Sequence, residues 1–322
     1  MPRKILLDCD PGHDDAVAMV LAHGDPRVEV VGVTTVGGNQ TLEKVTRNAL
    51  AVATAIGMTE APIAAGCGRP LVRTPELAAQ VHGESGLGGV VLPEPVVALD
   101  PRHGVQLIID TIMAADPGEI TLVPTGPLTN IALAARLEPR IVERVREVVL
   151  MGGGQHIGNV TPVAEFNVHT DPEAAHVVFN EPWPITMVGL DLTHQALATP
   201  EVVADLGAVP GPVTDLLLSI IGFYASAYRD VRGFAAPPLH DPCAVAYCID
   251  PSIVAAEPVP LDVELGGHLT TGMTVADFRR PAPEGCHTKV ATVLDAGAFW
   301  AAVKGALVRL QNPSTTRAGE PR

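Results

Sequence analysis

Lys4-Ile5-Leu6-Leu7-Asp8-Cys9-Asp10-Pro11-Gly12-His13-Asp14-Asp15, continuing through Ala16 to His23, is the stretch on which the fold reading turns. Lys4 to Leu7 reads as a continuous apolar strand that ends at Asp8-Cys9-Asp10, and Asp14 to His23 as a helix that stops at Gly24-Asp25-Pro26. Outward from it the same alternation repeats. Val28 to Val36 is the next strand, emptying into Gly37-Gly38-Asn39, with a helix over Thr41 to Ile56 and a brief strand over Pro62 to Ala65. Val105 to Ala115 and Leu128 to Leu137 read as helices, and Ile120 to Val123, Glu147 to Met151 and Ile185 to Gly189 as strands. Strand-helix alternation of this kind predicts the α/β class, with β-α-β units around a mostly parallel central sheet flanked by helices. The second half is less regular: helices are expected over Thr214 to Tyr228 and His240 to Tyr247, then a strand and a helix within Lys289 to Leu310.

In a parallel sheet the carboxyl ends of the strands form the ligand crevice. The turns Asp10-Pro11-Gly12, Gly37-Gly38-Asn39, Thr125-Gly126-Pro127, Gly152-Gly153-Gly154 and Asp191-Leu192-Thr193 are therefore expected to converge on one site. With 322 residues, 47% of them hydrophobic, the chain closes one large core, expected over residues 1–310, with a frayed tail at 311–322. Asp plus Glu outnumber Lys plus Arg by 36 to 21, and a net charge of −15 repels phosphate backbones and anionic membranes, so neither is an expected partner. Five cysteines, an odd number with no CxxC pair, read as reduced. No signal-peptide core or membrane span is visible, which makes a cytoplasmic location the expectation.

Four carboxylates within Asp8 to Asp15 repel one another unless a cation sits among them, and hard oxygen ligands in that number suit Ca²⁺ or Mg²⁺ rather than Zn²⁺. The alternative makes Asp14 and Asp15 ordinary helix-start acids. His240-Asp241-Pro242 opens a distant apolar helix, where Asp241 taken alone reads as an N-cap ahead of a proline. Glu165-Phe166-Asn167, with Asn159 upstream, reads as a polar loop whose amides and carboxylate suit a polyhydroxylated ring. Gly152, Gly154 and Gly158 miss the dinucleotide spacing by one residue, and neither a phosphate-binding GxxxxGK[ST] nor a GxSxG elbow is present.

Taken together, DxDPGxDD at Asp8 to Asp15, Pro124-Thr125-Gly126-Pro127-Leu128-Thr129-Asn130, Glu165-Phe166-Asn167 and His240-Asp241-Pro242 resemble the inosine-uridine-preferring nucleoside hydrolases over residues 4 to about 310. The resemblance implies one α/β domain on a Rossmann-like core with a mixed sheet. It implies one Ca²⁺ held by Asp10, Asp15, Asp241 and the Thr125 carbonyl, and a ribose bound by Asp14, Asn39, Asn159, Glu165, Asn167 and Asp241 with Met151 against the sugar. Asp10 would take the proton of the attacking water and His240 would protonate the leaving base, beside His82, Phe166, Tyr224 and Tyr228. The purine-specific branch stacks the base between tryptophans, and Trp183 and Trp300 lie in no matching loop. Family members are commonly dimers or tetramers, so a homodimer or homotetramer is implied. One departure is Gly88, where the family often carries an aspartate. Two rival readings are a DxD-type magnesium-dependent phosphohydrolase with Asp8 as nucleophile, opposed by Gly12 where a hydroxyl residue belongs, and a nucleoside-binding protein without turnover.

Overall fold

The structure, a computed structural model, describes residues 1–311. The opening strand β1 (Arg3–Cys9) is apolar without interruption from Ile5 to Leu7 because both its faces are covered: Ile5, Leu7 and Cys9 enter one buried cluster and Leu6 the other. The chain continues through α1 (His13–Gly24), β2 (Val28–Thr35), α2 (Leu42–Ile56), β3 (Ile63–Ala65), α3 (Ala79–His82), β4 (Leu99–Asp100) and α4 (Gly104–Ala114). Next come β5 (Ile120–Pro124), α5 (Thr129–Leu137), β6 (Glu147–Met151), α6 (Phe166–Thr170), α7 (Pro172–Asn180) and β7 (Ile185–Val188). The helices α8 (Leu190–Thr193), α9 (Pro200–Gly207), α10 (Pro212–Arg232) and α11 (Asp241–Ile249) lead into β8 (Val254–Pro258), β9 (Leu261–Val263), β10 (Thr274–Ala276), β11 (Thr288–Leu294) and α12 (Ala296–Gln311).

Among the described residues, nine strands form one sheet in the order β4-β3-β2-β1-β5-β6-β7-β11-β8, and β9 and β10 form a separate antiparallel pair. All neighbours in the large sheet run parallel except β11 and β8. Helices α1, α2, α10, α11 and α12 cover one face, while α4, α5 and α7 cover the other with Trp183. The strand order reverses at β1, whose parallel neighbours are β2 on one side and β5 on the other. A crevice opens at such a switch point, just beyond the carboxyl ends of the strands. The turns after β1, β2 and β5 therefore face one another.

The expected class and sheet are present, with differences in detail. Residues 165–180, read as polar loop at their start, form α6 and α7, because Glu165 and Asp171 each cap a helix with a side-chain carboxylate. The helix expected from Thr214 to Tyr228 begins at Pro212 and runs to Arg232. Two-residue β4 and half-exposed β8 carry too little periodicity to read from sequence. Apart from Gln311, which ends α12, the expected tail lies outside the described residues. All five cysteines are free, with Cys9, Cys243 and Cys248 buried.

Candidate active site

Asp10 leaves the end of β1 fully buried. Its Oδ2 accepts the Asn39 main-chain N–H at 2.6 Å, and its Oδ1 is sealed from solvent with no partner. The glycine turns make this crowding possible: a Cβ on Gly38 would collide with the Asp10 carboxylate, and one on Gly126 would stand 2.7 Å from it. Asp14 and Asp15 follow in the first turn of α1. Asp15 accepts the Gly12 N–H at 3.0 Å and the Thr125 hydroxyl at 2.8 Å, tying the β1 turn to the β5 turn.

Asp241 arrives from more than two hundred residues away. It does not cap α11 as the sequence allowed: His240 holds the N-cap position without a side-chain cap, and Asp241 at the first helical position turns its carboxylate into the crevice toward those of Asp14 and Asp15. Asp14, Asp15 and Asp241 each bring a carboxylate oxygen within 4.8 Å of the others. This tightest trio contains Asp14, assigned by resemblance to the sugar, and not Asp10, although Asp10 and Asp15 repel each other electrostatically. Asp8 does not join them. Strand alternation turns it away, and Thr34 at 2.6 Å and Asn130 at 2.7 Å hold its Oδ1, while burial still pushes its carboxyl up to about 7. Its Oδ2 is buried without a partner and Asp8 does not line the cavity, so no phosphate ester reaches it as a nucleophile, and that rival reading falls with it.

Burial first, and the repulsion of Asp15 second, lift Asp10 well above the carboxylate range and Asp14 up to about 7. Burial and the charges of Asp14 and Asp15 lift Asp241 well above that range, and burial raises Asp15. Neither lysine nor arginine is among the residues lining the cavity. A divalent cation would relieve this repulsion. The donors present are carboxylate and carbonyl oxygens, with the unpartnered Asp10 Oδ1 among them, so the cluster fits a hard metal ion.

A cavity opens to solvent over the trio, with Asp14, Thr125 and Asp241 among its lining residues. On one side Glu165 caps α6, accepting the main-chain N–H groups of Asn167, Val168 and Gly153, and burial raises it to about 7. Asn159 Oδ1 accepts the Phe166 N–H at 2.8 Å, and Asn167 Nδ2 donates to the carbonyls of Thr125 at 2.8 Å and Met151 at 3.1 Å. These polar groups are thus fixed by backbone before any ligand arrives. Phe166 and Met151 line the same wall.

On the opposite side α10 presents Tyr224 and Tyr228 one turn apart, both buried, their rings edge to face at 4.6 Å. The Tyr224 hydroxyl lies 3.4 Å from Asp14 Oδ2, and the Tyr228 hydroxyl 2.6 Å from His240 Nε2. His240 Nδ1 meets the Thr193 hydroxyl at 2.8 Å. His82 ends α3 on the rim, and burial, then the neighbouring His13 and His240, hold its imidazole well below its usual pKa. Trp183 is buried elsewhere, donating to the Val178 carbonyl, and Trp300 packs on Phe299; neither lines the cavity.

Every expected ligand-facing residue except Asp10 and Asp15, which lie beneath the floor, lines this cavity: Asp14, Asn39, His82, Thr125, Met151, Asn159, Glu165, Phe166, Asn167, Tyr224, Tyr228, His240 and Asp241. Sequence reasoning missed Gln80 and Val81 on the rim, in a stretch without periodicity, and Thr193 behind His240. The only signal for Thr193 was its place in a strand-end turn.

Residues 5–301 match the family described as inosine-uridine preferring nucleoside hydrolase. The chain is 60% identical over 314 residues to an inosine-uridine preferring nucleoside hydrolase of Crithidia fasciculata, covering 97% of this chain and all of the relative. It is 42% identical over 302 residues to a pyrimidine-specific ribonucleoside hydrolase of Shigella flexneri, covering 94% and 96%. A solved purine-preferring ribonucleoside hydrolase from Gardnerella vaginalis superposes with a TM-score of 0.90 at 33% identity, covering 96% of this chain and 99% of that one.

Proposed function

Because the chain belongs to the inosine-uridine preferring nucleoside hydrolase family, and so hydrolyses the N-glycosidic bond of ribonucleosides, we propose that it does so with calcium at the acidic floor, releasing ribose from inosine, uridine and related nucleosides. The observation that carries this reading is the convergence of Asp14, Asp15 and Asp241 beside a buried, unpartnered oxygen of Asp10. Asp10, Asp15, Asp241 and the Thr125 carbonyl would hold the ion. Bound there, calcium supplies Lewis-acid polarisation of water and a hold on ribose hydroxyls.

The remaining chemistry belongs to side chains. Asp10, whose Oδ1 has no protein partner, accepts a proton from the attacking water. Asp14, Asn39, Asn159, Glu165, Asn167 and Asp241 grip the ribose, and their negative charge stabilises the oxocarbenium-like sugar as the bond breaks. Met151 packs against its underside. His240, steadied by Thr193 and paired with Tyr228, protonates the departing base, an effect worth about 10²- to 10⁴-fold. His82, Phe166, Tyr224 and Tyr228 form the base side, and the absence of tryptophan from the lining supports the inosine-uridine preference over a purine-only one.

Purified protein incubated with inosine, uridine, cytidine and adenosine in calcium is expected to release reducing sugar, and chelator to abolish it. No release from any of the four would refute the reading. The protein acts in the cytoplasm as a homodimer or homotetramer, which sedimentation would test; among the described residues no helix is long and apolar enough to cross a membrane.

A further inference from the structure

His13 sits inside the acidic motif, yet nothing in the reaction uses it. It is fully buried, its ring stacked at 4.9 Å and 6° on Phe223 of α10 and at 5.5 Å on His82. His13 Nε2 lies 3.1 Å from the Gly88 carbonyl, and the His13 main-chain N–H points at His82 Nδ1 at 3.3 Å. One residue thus touches both ends of the 82–88 segment, whose ends are also joined by the Gly88 N–H on the His82 carbonyl at 2.9 Å. The Phe223 ring fills the space that a side chain on the segment would need: a Cβ on Gly88 would stand 2.6 Å from it. That packing accounts for the glycine at 88, where the resemblance suggested an aspartate.

The donors determine where the protons lie. A carbonyl only accepts, so His13 carries its proton on Nε2 and leaves its Nδ1, 3.3 Å from His82 Nδ1, without one; a main-chain N–H only donates, so His82 accepts it on Nδ1 and carries its own proton on Nε2. The opposite His82 tautomer would trade this bond for one between the two Nδ1 atoms and leave the His13 main-chain N–H, one of the orphan donors of the first turn of α1, without an acceptor. His82 Nε2 has no protein partner among the described residues and is not sealed off, so it opens onto the cavity that His82 lines.

The geometry points to His13 as a positioning residue, a clamp that holds the 82–88 segment closed at the rim and fixes His82 as an Nε2–H donor toward the base of the substrate. The base-side direction rests on the proposed nucleoside reading; the clamp and the tautomer do not. His13→Phe keeps the stacking and removes the Nε2 donor, while His13→Gln keeps a donor.

With the full-length protein in calcium, losing this part-buried hydrogen bond is expected to speed amide exchange over 83–89 about tenfold and to raise the KM for inosine about tenfold. The kcat on 4-nitrophenyl riboside, whose leaving group departs without protonation, holds within about twofold. His13→Gln restores most of the exchange protection, which a loss of mere bulk would not explain. Nitrogen-15 shifts of the wild-type histidines are expected to show His82 protonated on Nε2. The inference is overturned if His13→Phe leaves both loop exchange and KM at wild-type values, or if wild-type His82 is protonated on Nδ1. Should His13→Phe fail to fold, the wild-type tautomer decides. Hydrolysis of the aryl riboside without hydrolysis of any nucleoside would refute the nucleoside reading and leave the tautomer test standing.

Discussion

Stripping the cation should make this protein lose stability as pH rises, against the usual behaviour of acidic proteins. Asp14 is buried and its carboxyl is raised to about 7, chiefly by burial and next by the charge of Asp15. In the unfolded chain the same group titrates near its ordinary value of 3.8. A folded pKa above the unfolded one means that the native state holds the proton more tightly. The resulting stabilisation is complete below the unfolded pKa and disappears as pH climbs through the folded one. Between pH 5 and 7 the unfolded group is already ionised while the native one is not, so about two pH units are lost at 1.36 kcal/mol each, or about 3 kcal/mol. Glu165, also raised to about 7 by burial, acts in the same direction. At about 2 °C per kcal/mol for a chain of this size, the chelator-treated protein should melt about 6 °C lower at pH 8 than at pH 5. On the proposed reading calcium offsets the repulsion, so saturated protein should show little of this slope, and the calcium-induced rise in Tm should itself grow with pH. Scanning fluorimetry with and without chelator across pH 5 to 8 measures both. A chelated Tm that is flat or rises over that window, or a calcium shift that is independent of pH, refutes the picture of carboxylates forced together at the floor.

Other perturbations separate the parts of the site. Asp10→Asn keeps the shape and removes the proton acceptor, and kcat for inosine is expected to fall about 10³-fold with KM changed far less; an undiminished kcat would remove Asp10 from the chemistry. Tyr228→Phe deletes the hydroxyl 2.6 Å from His240, and is expected to lower kcat for inosine up to about tenfold while sparing 4-nitrophenyl riboside, an equal loss on both arguing against a role at the leaving group. Asn130→Ala breaks bonds to the Asp8 carboxylate, the Thr35 carbonyl and the Cys67 N–H. Urea unfolding should register a loss of about 3 kcal/mol, since buried partners are left unsatisfied.

Much of the architecture was legible because it is written locally. The uninterrupted apolar run of β1 reports a strand covered on both faces, and the Asp-Pro-Gly and Gly-Gly-Asn turns report where strands stop. The roles within the motif were less legible. Four carboxylates stand together in the sequence at Asp8 to Asp15, but strand alternation sends Asp8 to Thr34 and Asn130, while Asp10, Asp14 and Asp15 turn to the crevice. Glu165 looked like a loop residue because its capping bonds go to the short α6 and to Gly153, a pairing that exists only once β6 and α6 are side by side.

By itself the sequence determined the strand-helix alternation, the hard-oxygen chemistry and the family, since periodicity, turn propensity and ligand type depend on residues near one another in the chain. Tertiary structure alone decided that Asp241 reaches Asp15 instead of capping its own helix, that Tyr228 and Thr193 flank His240, and that His13 bridges His82 and Gly88. These meetings follow from strand order and helix docking across tens to hundreds of residues, where the net of burial, repulsion and hydrogen bonding over the whole core selects the partner.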